Sequence, residues 1–189
     1  MEITPITSSF GASVSNIDLA SISEAEFEQV YAAWLKYKVL TFRGQHLADD
    51  ALEAFSKRFG VLSTIPYFDK WGMTEAEFKA KHNGSSIYIL PLSNIKKNGV
   101  SIGGLGDGEV MWHADMNYME NPGVGMVLSG EIIPGEGGDT EFADQEAVYE
   151  GLPASLKERI SNLSIKHDAS HMSDGKVRLG FEDQISDDP

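Results

Sequence analysis

The chain has 189 residues, 41% of them hydrophobic and 23% charged, enough for one substantial domain with its own core. It contains no cysteine, which excludes disulfides, thiolate zinc sites, iron–sulfur clusters and cysteine nucleophiles; any metal must sit on His, Asp, Glu and water. A formal net charge of −14 opposes nucleic acid as a partner, because phosphates are held by clustered Lys and Arg.

No apolar run approaches the roughly 20 residues that span a bilayer, so no membrane partner is expected. The opening Met1-Glu2-Ile3-Thr4-Pro5 lacks the basic and apolar regions of a signal peptide, so a cytoplasmic location is expected. Residues Ile3 to Ile17 alternate weakly between apolar and polar around Gly11 and read as short strands with a turn. Ser23 followed by Glu26 makes a capping box, and Phe27, Val30, Tyr31, Trp34 and Leu35 keep helical spacing, predicting a helix over Glu24–Lys36. Val39 to Phe42 is a β-branched and aromatic strand closed by Arg43-Gly44. A second helix follows, with Asp49 or Asp50 as N-cap, Leu52, Phe55 and Phe59 on one face, and an end at Gly60.

Thr74 to Phe78 reads as a short capped helix inside a long connection, and Ile87 to Leu92 as an apolar strand. The stretch from Asn98 to Gly108 carries five glycines and reads as a loop. It opens no helix and follows no βαβ unit, so its glycines do not make a nucleotide-binding loop. Further strands are predicted at Gly125–Ile132 and Thr140–Phe142, then a helix capped by Asp144 through Tyr149 and another beginning at Pro153. The segment from Ser173 to Pro189 is polar and aperiodic. Strand-helix-strand-helix first and short strands later, without regular βαβ alternation, predict a single α+β domain over residues 1–189, built on a β-sandwich or barrel.

Five histidines are available: His46, His82, His113, His167 and His171. His113 stands two positions before Asp115. On an extended strand, residues i and i+2 share a face, so both side chains can reach one ion. An imidazole and a carboxylate, joined by one further His, form the facial triad of non-heme iron(II) oxygenases and leave adjacent sites open for co-substrate and dioxygen. Trp112, just before the pair, has an ordinary reading as core.

The text around this pair carries more. Trp112-His113-Ala114-Asp115-Met116-Asn117-Tyr118, then Asn121-Pro122, then Gly137-Gly138-Asp139-Thr140-Glu141-Phe142, resembles the taurine dioxygenase/2,4-dichlorophenoxyacetate dioxygenase (TauD/TfdA) family. Val39 to Gln45, Phe55 to Gly60 and Ala147 to Pro153 are similar to that family's early strand, second helix and later helix. The resemblance implies a double-stranded β-helix (jelly-roll) core with flanking helices. It also implies an Fe(2+)- and 2-oxoglutarate-dependent dioxygenase that hydroxylates a small organic substrate using O2, releasing succinate and carbon dioxide. His113 and Asp115 are then iron ligands, and Thr140 donates its hydroxyl to a 2-oxoglutarate carboxylate. The alternative for Thr140 is a strand residue bonding its own turn.

The family's distal His ligand and its 2-oxoglutarate-binding Arg have no counterpart here. The chain is expected to represent the N-terminal two-thirds of the domain, with the barrel incomplete at the C-terminus. Unpaired strand edges and exposed apolar core then predict either a partner, such as a second copy of the chain in a homo-oligomer, or marginal stability. His167 reads as structural and His171 as solvent-exposed. Ser63 to Phe68 lacks the His that taurine-type members place there, which counts against taurine; Tyr67, Phe68, Asn94 and Glu109 are candidate substrate contacts. Two other readings stand beside this one. A truncated, catalytically inactive or interaction-only form would explain the absent ligands. A zinc-dependent hydrolase of the His-x-His-x-Asp-His type is weaker, because Met111 and Met116 occupy its flanking His positions.

Overall fold

The computed structural model describes residues 1–8, 10–65, 68, 72–81, 84–101, 104–105, 112–167, 170–171 and 175–177. It divides into two compact units, Met1–Ile89 with Gly125–Glu158, and Leu90–Val124 with Arg159–Pro189.

The first unit opens with β1 (Glu2–Pro5) and β2 (Ala12–Ser15), antiparallel with Ile3 opposite Val14. A parallel neighbour to β2 needs a crossover, and helix α1 (Glu24–Tyr37) supplies it before β3 (Leu40–Phe42) pairs Ala12 with Leu40. The result is a mixed three-stranded sheet in the order β1-β2-β3. The predicted capping box is present: the Ser23 hydroxyl accepts from the Glu26 amide at 3.3 Å, and the Glu26 carboxylate accepts from the Ser23 amide at 3.0 Å. Two amides left open by the first turn are satisfied in this way. Phe27, Val30, Ala33 and Tyr37 form the buried stripe of α1.

Helix α2 (Asp49–Lys57) is capped by Ala48 without a side-chain hydrogen bond. Asp49 and Asp50 therefore lie inside the first turn rather than at the predicted cap, where their charge still favours the helix N-terminus. Its helix stops at Lys57, and three i→i−3 bonds carry the chain on to Gly60. Leu19, Phe27, Val30 and Phe55 make the main core cluster, and Ala12, Ala33 and Tyr37 a second. Phe59 meets Phe27, Trp34 and Phe55 edge-on at centroid distances of 4.9, 5.4 and 5.4 Å, the arrangement aromatic quadrupoles prefer.

Thr74 caps α3 (Glu75–Lys81) through a second reciprocal box with Glu77. Phe78 on this helix joins Ile65, Phe68 and Ile87 in a separate core cluster. The strand predicted over Ile87–Leu92 is confined to β4 (Leu92–Ser93), because Ile87 and Tyr88 turn into that cluster and the Ile87 carbonyl accepts from Ile65 at 2.7 Å.

Within the second unit, the glycine-rich stretch is only partly a loop. β5 (Lys96–Lys97) and β6 (Val100–Ser101) form a two-residue hairpin, and β4 runs parallel to β7 (Gly104–Leu105). Asn98 and Gly99 turn the hairpin at φ of +53° and +80°, the left-handed pair that matches strand twist in a type I′ turn.

Gly125–Ile132 and Thr140–Phe142 belong to no ladder, contrary to the predicted strands. A strand is defined by a partner, and among the described residues none pairs with either segment. Met126, Ile132 and Ile133 are accordingly 69%, 80% and 73% exposed. Helices α4 (Gln145–Glu150) and α5 (Ala154–Ile160) follow as predicted, capped by Asp144 and begun by Pro153. Among the described residues no helix is long and apolar enough to cross a membrane.

Candidate metal and co-substrate site

His113 and Asp115 lie in the second unit, and their side chains converge, with Nε2 of His113 3.1 Å from Oδ1 of Asp115. The route differs from the predicted one. Neither residue is in a strand; Asp115 begins a turn through Tyr118, in which Met116 adopts φ of +54° and accepts from the Met119 amide at 3.0 Å. The approach is made outside any strand, just before this turn. Both are about half exposed, at 48% and 54%.

This geometry fits a shared ion. Nitrogen and oxygen ligands sit roughly 2.1 Å from a divalent first-row metal, so two neighbouring octahedral ligands lie about 3.0 Å apart. The observed separation is 3.1 Å. The donor set, one imidazole and one carboxylate, suits iron, manganese or zinc. Among the described residues, no group of three or more His, Asp or Glu side chains forms around a common point.

The candidate co-substrate residue, Thr140, belongs to the first unit and is exposed. Gly137 and Gly138 precede it at φ of +72° and +73°, a consecutive left-handed pair that side chains bear poorly. Downstream, the Asp144 carboxylate accepts from the amides of Glu146 and Ala147 at 3.1 and 3.2 Å and so fixes the start of α4. It is also gripped by Lys38, whose Nζ stands 2.8 and 2.7 Å from its two oxygens. The Lys38 ammonium, followed by the Ala147 amide, holds the Asp144 carboxyl below its ordinary range; Asp144, then Glu146, raises Lys38. Sequence reasoning found the cap and missed the lysine, which is 106 positions away and carries no local signal.

The remaining candidates are dispersed. Phe68 is buried against Phe78 at 5.8 Å, in the core role that is the alternative to a substrate contact. Asn94 is exposed between β4 and β5. Tyr67 and Glu109 lie outside the described residues, as do His82 and Met111. Trp112 is 66% exposed rather than core. His167 is exposed, not the packed structural residue expected. His171 is half-buried rather than exposed: it bridges Val177, and its Nδ1 lies 2.9 Å from the Ser170 hydroxyl.

Comparison with known proteins adds the wider context. Residues 2–188 match the family described as taurine catabolism dioxygenase TauD, TfdA family. The chain is 34% identical over 186 residues to an (S)-phenoxypropionate/alpha-ketoglutarate-dioxygenase of Sphingobium herbicidovorans, covering 98% of this chain and 58% of that protein. It is 33% identical over 177 residues to the enzyme of the same name from Delftia acidovorans, covering 88% and 54%. The fold matches that of the crystal structure of AAD-2 in complex with Mn(II) and N-oxalylglycine, with a TM-score of 0.56 and 24% identity over 86% of this chain and 50% of that one. The chain thus spans little more than half the length of these curated relatives. With the family's motifs present in order along almost every residue, this chain belongs to the TauD/TfdA family.

Proposed function

We propose that this chain provides the metal- and co-substrate-binding part of an Fe(II)- and 2-oxoglutarate-dependent dioxygenase with a double-stranded β-helix core. The enzyme hydroxylates a small organic anion and releases succinate and carbon dioxide. The observation that carries this reading is the 3.1 Å approach of His113 Nε2 to Asp115 Oδ1 within the family's own motif.

His113 Nε2 and Asp115 Oδ1 would hold the ion. When bound, ferrous iron supplies the redox chemistry that couples decarboxylation of the keto acid to oxygenation of a substrate C–H bond. The imidazole offers its lone pair to a metal only in its neutral form, and the carboxylate binds as its anion. The Thr140 hydroxyl donates a hydrogen bond to a carboxylate of 2-oxoglutarate and sets its orientation. Relatives named for (S)-phenoxypropionate point to an aryloxy acid class rather than taurine, consistent with the absence of His from Ser63–Phe68. Asn94, with Tyr67 and Glu109, is assigned to substrate contact.

The interaction-only reading is kept alive by one observation, the pairing of two rather than three donors among the described residues. Anaerobic calorimetric titration of the chain with Fe(II), with and without 2-oxoglutarate, separates the two. Micromolar binding is expected, weakened at least about tenfold in His113→Ala and in Asp115→Ala. No heat from the unsubstituted chain would overturn the dioxygenase reading in favour of an interaction module. Oxygen uptake matched by succinate formation then reports turnover.

A further inference from the structure

Lys38 occupies an unusual backbone position. It follows the last residue of α1 at φ +66° and ψ −32°, with its amide on the Trp34 carbonyl at 2.7 Å. The Val39 amide reaches back to the Tyr37 carbonyl at 2.7 Å, so the chain closes an i→i+2 turn centred on Lys38. This is a γ-turn with positive φ, the rarer and strained hand for a residue bearing a side chain. Glycine would take it at little cost. A lysine stands there instead, and its side chain is fully engaged: both Asp144 oxygens and a Glu146 oxygen lie within 2.8 Å of Nζ.

An ordinary surface ion pair contributes little. This one differs in its placement. The Asp144 side chain is only 13% exposed, and the same carboxylate caps α4. One cation therefore ties the end of α1 to the start of α4. Between the Gly137-Gly138 turn and this anchor runs Asp139–Ala143, exposed, without regular structure and carrying Thr140. A segment so lightly held takes its path from its ends.

We infer that Lys38 is a positioning residue for the co-substrate segment, acting through Asp144 to fix the path of Asp139–Ala143. The inference rests on the reading of Thr140 given above.

The test uses the full chain and three substitutions, Lys38→Met, Lys38→Gly and Lys38→Arg. Amide hydrogen exchange is followed at Glu146 and Ala147, the amides that Asp144 caps, and 2-oxoglutarate is titrated into the Fe(II)-loaded protein without oxygen. Lys38→Met is expected to speed exchange at those amides about tenfold, with α1 and the sheet unchanged. It should weaken 2-oxoglutarate about tenfold and leave Fe(II) affinity alone. Lys38→Gly relieves the strained turn yet removes the cation, so it should show the same local loosening without a lower denaturation midpoint. Lys38→Arg should restore most of the protection. Unchanged exchange at Glu146 and Ala147 in both Met and Gly variants, or unchanged 2-oxoglutarate affinity in Lys38→Met, would overturn the proposal, as would a uniform loss of protection throughout the unit. Thr140→Ala separates the two ideas: if it leaves 2-oxoglutarate binding intact, the role of Thr140 falls, while the exchange comparison still decides whether Lys38 fixes the segment.

Discussion

Phe27, Val30 and Phe55 are at most 7% exposed, whereas Met126, Ile132 and Ile133 are 69–80% exposed, although all six are large apolar side chains of one protein. The first three sit among elements whose partners follow closely in the chain: β1 pairs with β2, β2 with β3, and α1 fills the crossover between them. The last three lie outside any helix or strand, with no ladder partner among the described residues. Helices close their own hydrogen bonds, while strands borrow theirs from elsewhere. Burial therefore comes early to the helical part, and the motif-bearing part stays open.

The largest expected effect tests that contrast directly. Phe55→Ala removes a ring that is 3% exposed and should cost about 3–5 kcal/mol in urea unfolding. Ile132→Ala, at 80% exposure, should change stability by no more than about 0.5 kcal/mol. Equal costs would mean that the two regions are packed alike, and the contrast would fail.

Gly125 sharpens the comparison at its boundary. A β-carbon there would meet Trp34 Cζ2 at 2.8 Å, a contact that real structures essentially never show. Gly125→Ala should therefore destabilise the first unit by about 1–3 kcal/mol and alter Trp34 fluorescence. A neutral substitution would show that the extended segment is not held against α1 at all.

The smallest effect concerns pH. Glu26 is held below the ordinary carboxylate range by the Ser23 hydroxyl and then its amide, Glu77 by the Thr74 amide and then its hydroxyl, and Asp144 by Lys38. Each therefore contributes stability that is present above about pH 4 and lost as pH falls through its lower folded value. Lys38 is raised, so its contribution is complete below about pH 10.4 and lost as pH rises through its folded value. Far-UV circular dichroism should stay flat from about pH 5 to 10 and decline outside that window. A transition near pH 6.5 would instead implicate a histidine in the fold.

What the sequence disclosed follows the same division. The Ser23–Glu26 box, the Phe27 and Val30 stripe and the Asp144 cap depend on residues within a few positions, and all were legible. The meeting of His113 and Asp115 was legible too, although neither residue lies in a strand. The strands over 125–132 and 140–142 were misread because apolar and β-branched residues record a preference for strand, not the presence of a partner. Phe68 was ambiguous because an aromatic residue in a long connection suits a pocket and a core equally well; Phe78 and Ile65 resolve it as core. Lys38 could not be found at all, since nothing beside it in the chain announces Asp144.

The open stretch from Gly125 to Pro134 has a consequence for the protein in solution. Bare, β-prone chain of this kind is what seeds cross-β stacking. Here Met126-Val127-Leu128 is parted from Ile132-Ile133 by Ser129-Gly130-Glu131, and Pro134 closes the run. Glu131 and Pro134 act as gatekeepers on the C-terminal side of the run. A net charge of −14 adds repulsion between neighbouring copies that opposes such stacking.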